Sequence, residues 1–436
     1  MKYLCSKTQP MLWSVVLLHV VVVAWIYMWL LAPVAHAQVA RLDAPLFAQP
    51  GPFAVSARDF VIEADDAIPH ADALPVTVWF PAEAPSEASE VITYALDAGP
   101  FVGSLPTPSP TGVYADLAPT AAGAPYPMVV FAHGNPGSRH LQLFLPEHLA
   151  SYGFVVISAD HPGTSFVNFV SVNIDPSYEQ AYMDARPLVM AQRPRDMLRE
   201  LAFLESLNEA GKLLEDLIDP EQIAITGFSA GGAAALGAAG ARISFSELDT
   251  WCEQEMPAPH AATVCDFQLL EPEYANIFGL ESLPTNLYPA VTDPRVDALV
   301  TLGAGTAIPL YGTSGLAALT VPSLLIYGTA DSVVHHDHNT VRAFEYIGSR
   351  RKTLVALENA DHFIFTNTCS EAWLAASLPF AVCSDSVWDM TRAQDITKHM
   401  TTAFLLDIFA ESTDAKAALE PANVAFTGVT YTSVEY

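Results

Sequence analysis

An α/β architecture, one mostly parallel sheet with helices on both faces, is what the sequence predicts, and three observations carry that prediction. Short apolar runs recur at Met128 to Ala132, Phe154 to Ser158, Ile223 to Thr226, Val296 to Leu302, Ser323 to Tyr327 and Thr353 to Leu357. They are continuous rather than alternating, as strands buried on both faces are. Helical stretches lie between or after them: His140 to Ser151, Arg195 to Leu217, Ala230 to Ala241, Asn339 to Ile347 and Val387 to Ala410. Alternating strands and helices build a parallel sheet whose ligands bind at the carboxyl ends of the strands. Finally, 436 residues at 51% hydrophobic content supply a large buried core.

Ahead of this alternation, Val55 to Ile62 and Leu74 to Phe80 read as an antiparallel pair that opens the sheet. The Pro-, Ala-, Ser- and Thr-rich stretch from Pro81 to Pro127 reads as a long surface connection. A second interruption, Arg242 to Pro294, follows the third helical region and reads either as an inserted cap-like segment beside the catalytic end or as a surface excursion stapled by a disulfide. There is no internal repeat.

The first residues carry Lys2 and Lys7, an apolar run from Met11 to Leu31, and Ala35-His36-Ala37 before Gln38. Basic, apolar and small residues in that order form a secretory signal peptide over residues 1–37, leaving residues 38–436 as a single catalytic domain. The run is also long enough to span a bilayer as an uncleaved anchor, and either reading delivers the remainder outside the cytoplasm. Cys252, Cys265, Cys369 and Cys383 then remain. Three connectivities are open to four cysteines; short loops close most easily, which favours Cys252 with Cys265 and Cys369 with Cys383.

The formal charge is −29, and becomes −31 once Lys2 and Lys7 leave with the signal. Such a surface repels phosphate backbones, so nucleic acid is not an expected partner.

Chemistry enters at Ile223-Ala-Ile-Thr-Gly227-Phe-Ser229-Ala-Gly231-Gly232, an apolar strand running through G-x-S-x-G into an Ala-rich helix. This order places Ser229 on a sharp turn with its hydroxyl above the sheet. A serine is a poor nucleophile until a base takes its proton, so a histidine and an orienting acid are required. Asp331, just past the strand Ser323 to Tyr327, and His362, in the loop after the next strand, supply them in the order Ser, Asp, His. Asp361 is the sequence neighbour of His362 and is poorly placed to serve it. An oxyanion needs two N–H donors. Ala230, directly after the nucleophile, offers one; Asn135 offers the other, from the turn His133-Gly134-Asn135-Pro136-Gly137, in which Pro136 has no N–H and His133 reads as a brace. His335, His336, Asp337 and His338 lie too close along one loop to converge on a metal, and Asp160-His161-Pro162-Gly163 reads as pocket rim. No cofactor is expected.

These motifs, with Leu74-Pro-Val-Thr-Val-Trp-Phe-Pro81 and Gly153-Phe-Val-Val, resemble the dienelactone-hydrolase-like branch of the α/β hydrolases. That branch includes platelet-activating-factor acetylhydrolases and, more distantly, bacterial cutinase-like polyester hydrolases. The resemblance covers about Gly51 to Ala410. It implies an α/β-hydrolase fold, cofactor-free hydrolysis of carboxylic esters, and Asn135 and Ala230 as the donor pair. Dienelactone hydrolases proper use a cysteine where Ser229 stands. Animal-type acetylhydrolases place the acid after an earlier strand, which is followed here by Gly303-Ala-Gly305; the bacterial pattern matches Asp331. The expected protein is therefore an exported serine esterase acting on a small, lipid or polymer ester. Peptidase or amidase activity on the same scaffold, and a binding protein without turnover, are the alternatives.

Overall fold

The computed structural model describes residues 41, 43–67, 70–254, 264–305 and 308–435. The expected signal peptide lies outside them. A nine-stranded sheet forms the centre. Its strands are β1 (Ala54–Ile62), β2 (Leu74–Ala82), β5 (Tyr126–Ala132), β6 (Val155–Ala159), β7 (Ile218–Phe228), β8 (Val296–Leu302), β9 (Ser323–Gly328), β10 (Lys352–Leu357) and β11 (Val429–Val434), in the spatial order β1-β2-β6-β5-β7-β8-β9-β10-β11. From β6 to β10 the strands run parallel; β1 and β2 on one edge and β11 on the other are antiparallel to their neighbours. Every expected strand is present. β11 was not foreseen, because Val-Thr-Tyr-Thr-Ser-Val alternates half-buried and exposed residues along an edge and lacks the continuous apolar texture of the central strands.

Two cores follow from the alternation of side chains across the sheet. Val76, Val78, Met128, Val130, Ile223, Ile225 and Leu325 face the helices Glu179–Leu207 and Ala230–Ala238. Trp79, Val129, Phe131, Val156, Val300, Ile326 and Val355 face the helices Phe144–Ser151 and Met390–Phe409. The helix expected from Arg195 begins instead at Glu179 and runs through Pro194 to Leu207, where Asn208 takes over: its side chain accepts from the Ile218 N–H (2.9 Å) and donates to the Ile218 carbonyl (3.1 Å).

The connection from 81 to 127 is more than a surface loop. It contains a hairpin, β3 (Thr93–Asp97) with β4 (Ser104–Pro108), whose Leu96 and Leu105 join Leu141, Phe166, Val170, Trp373 and Cys383 in a third, small core. Phe166 stacks on Trp373 with ring centroids 5.4 Å apart. Leu141, Phe166 and Trp373 all lie on segments leaving the carboxyl ends of β5, β6 and β10, so this core sits on the side of the sheet where ligands bind in such folds.

The described part of 242–294 packs on the helix Glu179–Leu207, where Arg195 lies over the Phe278 ring (4.7 Å), and on the segment 308–317, where the Ser244 N–H donates to the Leu310 carbonyl (2.9 Å) and the Thr313 hydroxyl donates to Glu247 (2.8 Å). Ile243, Phe245, Tyr274 and Tyr288 extend the first core there. An apolar cleft there is lined by Pro194, Gly237, Ile243, Phe278, Leu310 and Tyr311. Disulfides join Cys252 to Cys265 and Cys369 to Cys383. Paired cysteines of this kind are consistent with an oxidising, extracytoplasmic compartment. No helix among the described residues is long and apolar enough to cross a membrane.

Two buried histidines fasten the first described segment to the second core. The Phe47 N–H donates to His399 Nδ1 (3.1 Å), and His148 Nε2 donates to the Phe47 carbonyl (2.8 Å). Burial pulls His399 down to about 4 and His148 down to about 3. An unfolded histidine takes up its proton near 6.5, so between pH ~6.5 and ~4 the unfolded chain binds more protons than the folded one. The stability these two contribute is therefore complete above about pH 6.5 and is lost as the pH falls through that window. Glu147, pushed up to about 7 by burial, acts oppositely: its contribution is complete below about pH 4.5 and is lost as the pH rises towards 7. The His148→Gln/His399→Gln double variant should show a smaller drop in Tm between about pH 7 and about pH 4.5 than the parent. Parallel melting curves would refute the assignment.

Candidate active site

Ser229 stands at the end of β7, immediately before the helix Ala230–Ala238, with φ 56° and ψ −121°. A non-glycine residue accepts that conformation only where its surroundings enforce it. The flanking glycines show how they do so. A Cβ on Gly227 would lie 2.3 Å from the Gly231 carbonyl oxygen, and one on Gly231 would lie 2.1 Å from the Ala132 carbonyl oxygen. Both residues of the G-x-S-x-G pattern are therefore glycine because backbone passes where a side chain would be.

Ser229 and His362 are buried, at 4% and 2% exposure, and the Asp331 side chain is equally enclosed. Asp331 Oδ2 lies 2.6 Å from His362 Nδ1, and His362 Nε2 lies 2.9 Å from Ser229 Oγ. A carboxylate only accepts, so Nδ1 carries the proton and Nε2 is left to accept from the serine hydroxyl. The other oxygen of Asp331 is held by the N–H groups of Val333 (2.9 Å) and Val334 (2.6 Å). The three residues singled out in the sequence are thus brought into one hydrogen-bonded line.

The turn after β5 closes over this line. A Cβ on Gly134 would touch Phe228 at 3.0 Å and the Ser229 Cβ at 3.2 Å, so the backbone just before Asn135 lies against the nucleophile. Ala230 follows Ser229 as the first helical residue. His133 is fully buried: its Nδ1–H donates to the Gly134 carbonyl (2.6 Å) and its Nε2 accepts from the His161 N–H (3.1 Å). Burial, with Arg193 and His161 nearby, holds its pKa well below the usual histidine range, so it stays neutral and fixes the turn. His335 stacks against His336 and packs tilted against His338, and His338 meets Trp251 from the 242–294 stretch in a T-shaped contact with centroids 5.9 Å apart.

Two contributors escaped the sequence reading. Asp361 does not face the His362 ring; its Oδ1 accepts from the Ser332 N–H (2.8 Å), the Ser332 hydroxyl (2.8 Å) and the His362 N–H (2.7 Å). It ties the loop carrying the acid to the loop carrying the base. Despite burial, these hydrogen bonds hold its carboxyl below the usual range. Asp361→Ala should lower kcat roughly ten- to a hundredfold with little change in KM, because a base displaced by about 1 Å costs that much. Steady-state kinetics of the folded variant provide the check, and an unchanged kcat would demote Asp361 to scaffold. The second contributor is Arg193, wholly buried on the helix Glu179–Leu207. Its signal was a charge recurring in helical step with the buried Met197, Leu201 and Leu204.

The chain matches the alpha/beta hydrolase family over residues 129–376, a span that includes the elbow, the acid and the base. It belongs to that family. No curated protein matches the chain. For this alpha/beta hydrolase the match covers the sheet from β5 to β10 and the loops at its carboxyl ends. The antiparallel pair β1-β2, the hairpin β3-β4, the helix Met390–Phe409 and β11 lie outside the span.

Proposed function

We propose that this alpha/beta hydrolase is an exported serine esterase that cleaves carboxylic esters through an acyl-Ser229 intermediate. One observation carries the reading: the uninterrupted line from Asp331 through His362 to Ser229, in which the ring nitrogen facing the serine is the one free to accept its proton. In this reading His362 takes the hydroxyl proton as Ser229 attacks the carbonyl, and Asp331 stabilises the imidazolium that forms. The N–H groups of Ala230 and Asn135 receive the oxyanion. His362 then protonates the departing alkoxide, and water resolves the acyl-enzyme by the same steps in reverse. Two disulfides and the basic-apolar-small start of the sequence support export. An apolar acyl substrate, small, lipid or polymeric, suits the exposed Leu374 and Phe380 on the disulfide-closed segment after His362.

Turnover of nitrophenyl esters of graded acyl length against nitroanilides of the same acids tests the reading. Ester hydrolysis with fluorophosphonate labelling of Ser229 is the expected result. Faster cleavage of the anilides would move the assignment to an amidase. Absence of both turnover and label would leave a binding protein of the same fold.

A further inference from the structure

We infer that Arg193 is the positioning residue of the oxyanion site, acting through the Gly134–Asn135 peptide; the inference rests on the proposed ester hydrolysis. The guanidinium is fully buried and aims at the backbone of the turn. One terminal nitrogen donates to the His133 carbonyl (2.7 Å), and the other to the Gly134 carbonyl (3.1 Å) and the Thr164 hydroxyl. The Gly134 carbonyl thus has two donors, Arg193 and the His133 ring.

A peptide unit is planar, and in a trans unit the C=O and the following N–H point in opposite directions. Among the described residues the cis bonds are Ala124–Pro125 and Asn135–Pro136, so the Gly134–Asn135 unit is trans. Drawing the Gly134 carbonyl towards Arg193 therefore turns the Asn135 N–H away from it. The same holds one residue earlier, where the held His133 carbonyl turns the Gly134 N–H outward. The backbone between these two peptides is the part that lies against Ser229.

Arg193 has a second, electrostatic effect. A charged donor on a carbonyl polarises its peptide and strengthens the N–H at the other end. An arginine stays charged at any working pH, so the effect does not depend on a proton. The turn is restrained from its far side as well: the Gly137 N–H donates to the Thr164 carbonyl (3.0 Å), and the Phe166 N–H donates to the Gly137 carbonyl (2.6 Å). Thr164 consequently joins both supports. His161 and Glu200 back this layer: both are fully buried, and burial with the adjacent Asp196 pushes the Glu200 carboxyl well above its usual range.

The test compares Arg193→Gln and Arg193→Lys with the parent, each shown to be folded by circular dichroism. Removing one oxyanion donor outright costs about 10²- to 10³-fold in kcat, so loss of its positioning residue should cost about 10- to 100-fold. KM should stay within about threefold, and the pH profile of kcat/KM should not move, because His362 keeps both partners. Affinity for a trifluoromethyl ketone, which forms an oxyanion on Ser229, should fall in parallel with kcat/KM. Lysine retains the charge without the fork, and should restore part of the loss. If Arg193→Gln does not fold, Arg193→Lys alone decides: a roughly tenfold kcat loss at unchanged KM supports the inference. Parent-like kcat or parent-like ketone affinity in either folded variant overturns it. Ser229→Ala separates the two levels of reading: ester turnover surviving there strikes the proposed function, whereas full turnover in Arg193→Gln with Ser229→Ala inactive strikes this inference alone.

Discussion

Ser229→Ala and His362→Ala should each lower ester turnover on the order of 10⁶-fold without unfolding the protein, and Asp331→Asn on the order of 10⁴-fold. The first two remove the nucleophile or its base. The third keeps the geometry and removes the charge: an asparagine amide facing His362 Nδ1 can donate, which favours the tautomer whose proton sits on Nε2 and blocks acceptance from Ser229. Because the Asp331 side chain is enclosed and its second oxygen is committed to Val333 and Val334, no nearby rotation relieves the change. Wild-type turnover in Asp331→Asn would remove Asp331 from the role of orienting acid. Fluorophosphonate labelling should fail in Ser229→Ala and slow sharply in the other two.

Replacing Cys369 and Cys383 together by serine should cost both stability and rate. The bond closes a loop with a sequence separation of 14, for which chain entropy gives about 3 kcal/mol. The effect on rate follows from what the closed segment touches. Thr366, four residues after His362, donates its hydroxyl to the Val382 carbonyl, and the Asp361 N–H donates to Asp385 Oδ2 (2.8 Å). The base thus lies between two tethers to the segment that Cys383 anchors. The double variant should melt at a lower temperature and, where still folded, should show a reduced kcat. A lower Tm with unchanged kcat would confine the disulfide to stability. Non-reducing peptide mapping tests the pairing itself, and a crossed pattern with Cys252 or Cys265 would overturn both arguments.

The legible parts of this fold are those fixed by one local cause. The central strands show as continuous apolar runs because both faces are buried. The elbow shows because the Gly227 and Gly231 positions have no room for a Cβ. The acid and base show because their order along the chain is constrained by the sheet. What stayed hidden depends on distant partners. Thr93-Tyr-Ala-Leu-Asp97 of β3 buries only alternate residues, and Ser104-Leu-Pro-Thr-Pro108 of β4 buries Leu105 and carries two prolines, so both read as loop until Phe166 and Trp373 cover them. Asp361 looked like a spare carboxylate beside the histidine, since its partner Ser332 is 29 residues away. The stretch 242–294 was expected beside the catalytic end because it follows the nucleophile helix. Its described residues extend the first core through Ile243, Phe245, Tyr274 and Tyr288, and Trp251 reaches His338 on the loop that follows Asp331.

The small third core has a consequence for anyone recombining this protein with its relatives. Its apolar contacts come from four pieces of chain, the hairpin at 93–108, the turn at Leu141, the helix Phe166–Ile174 and the segment between Cys369 and Cys383, which meet in one cluster. A crossover that exchanges one piece leaves Leu96, Phe166 or Trp373 facing surfaces shaped for other side chains, with the misfit concentrated beside the base. The natural unit of exchange is the four pieces together, and a chimera boundary drawn from linear sequence alone cuts through it.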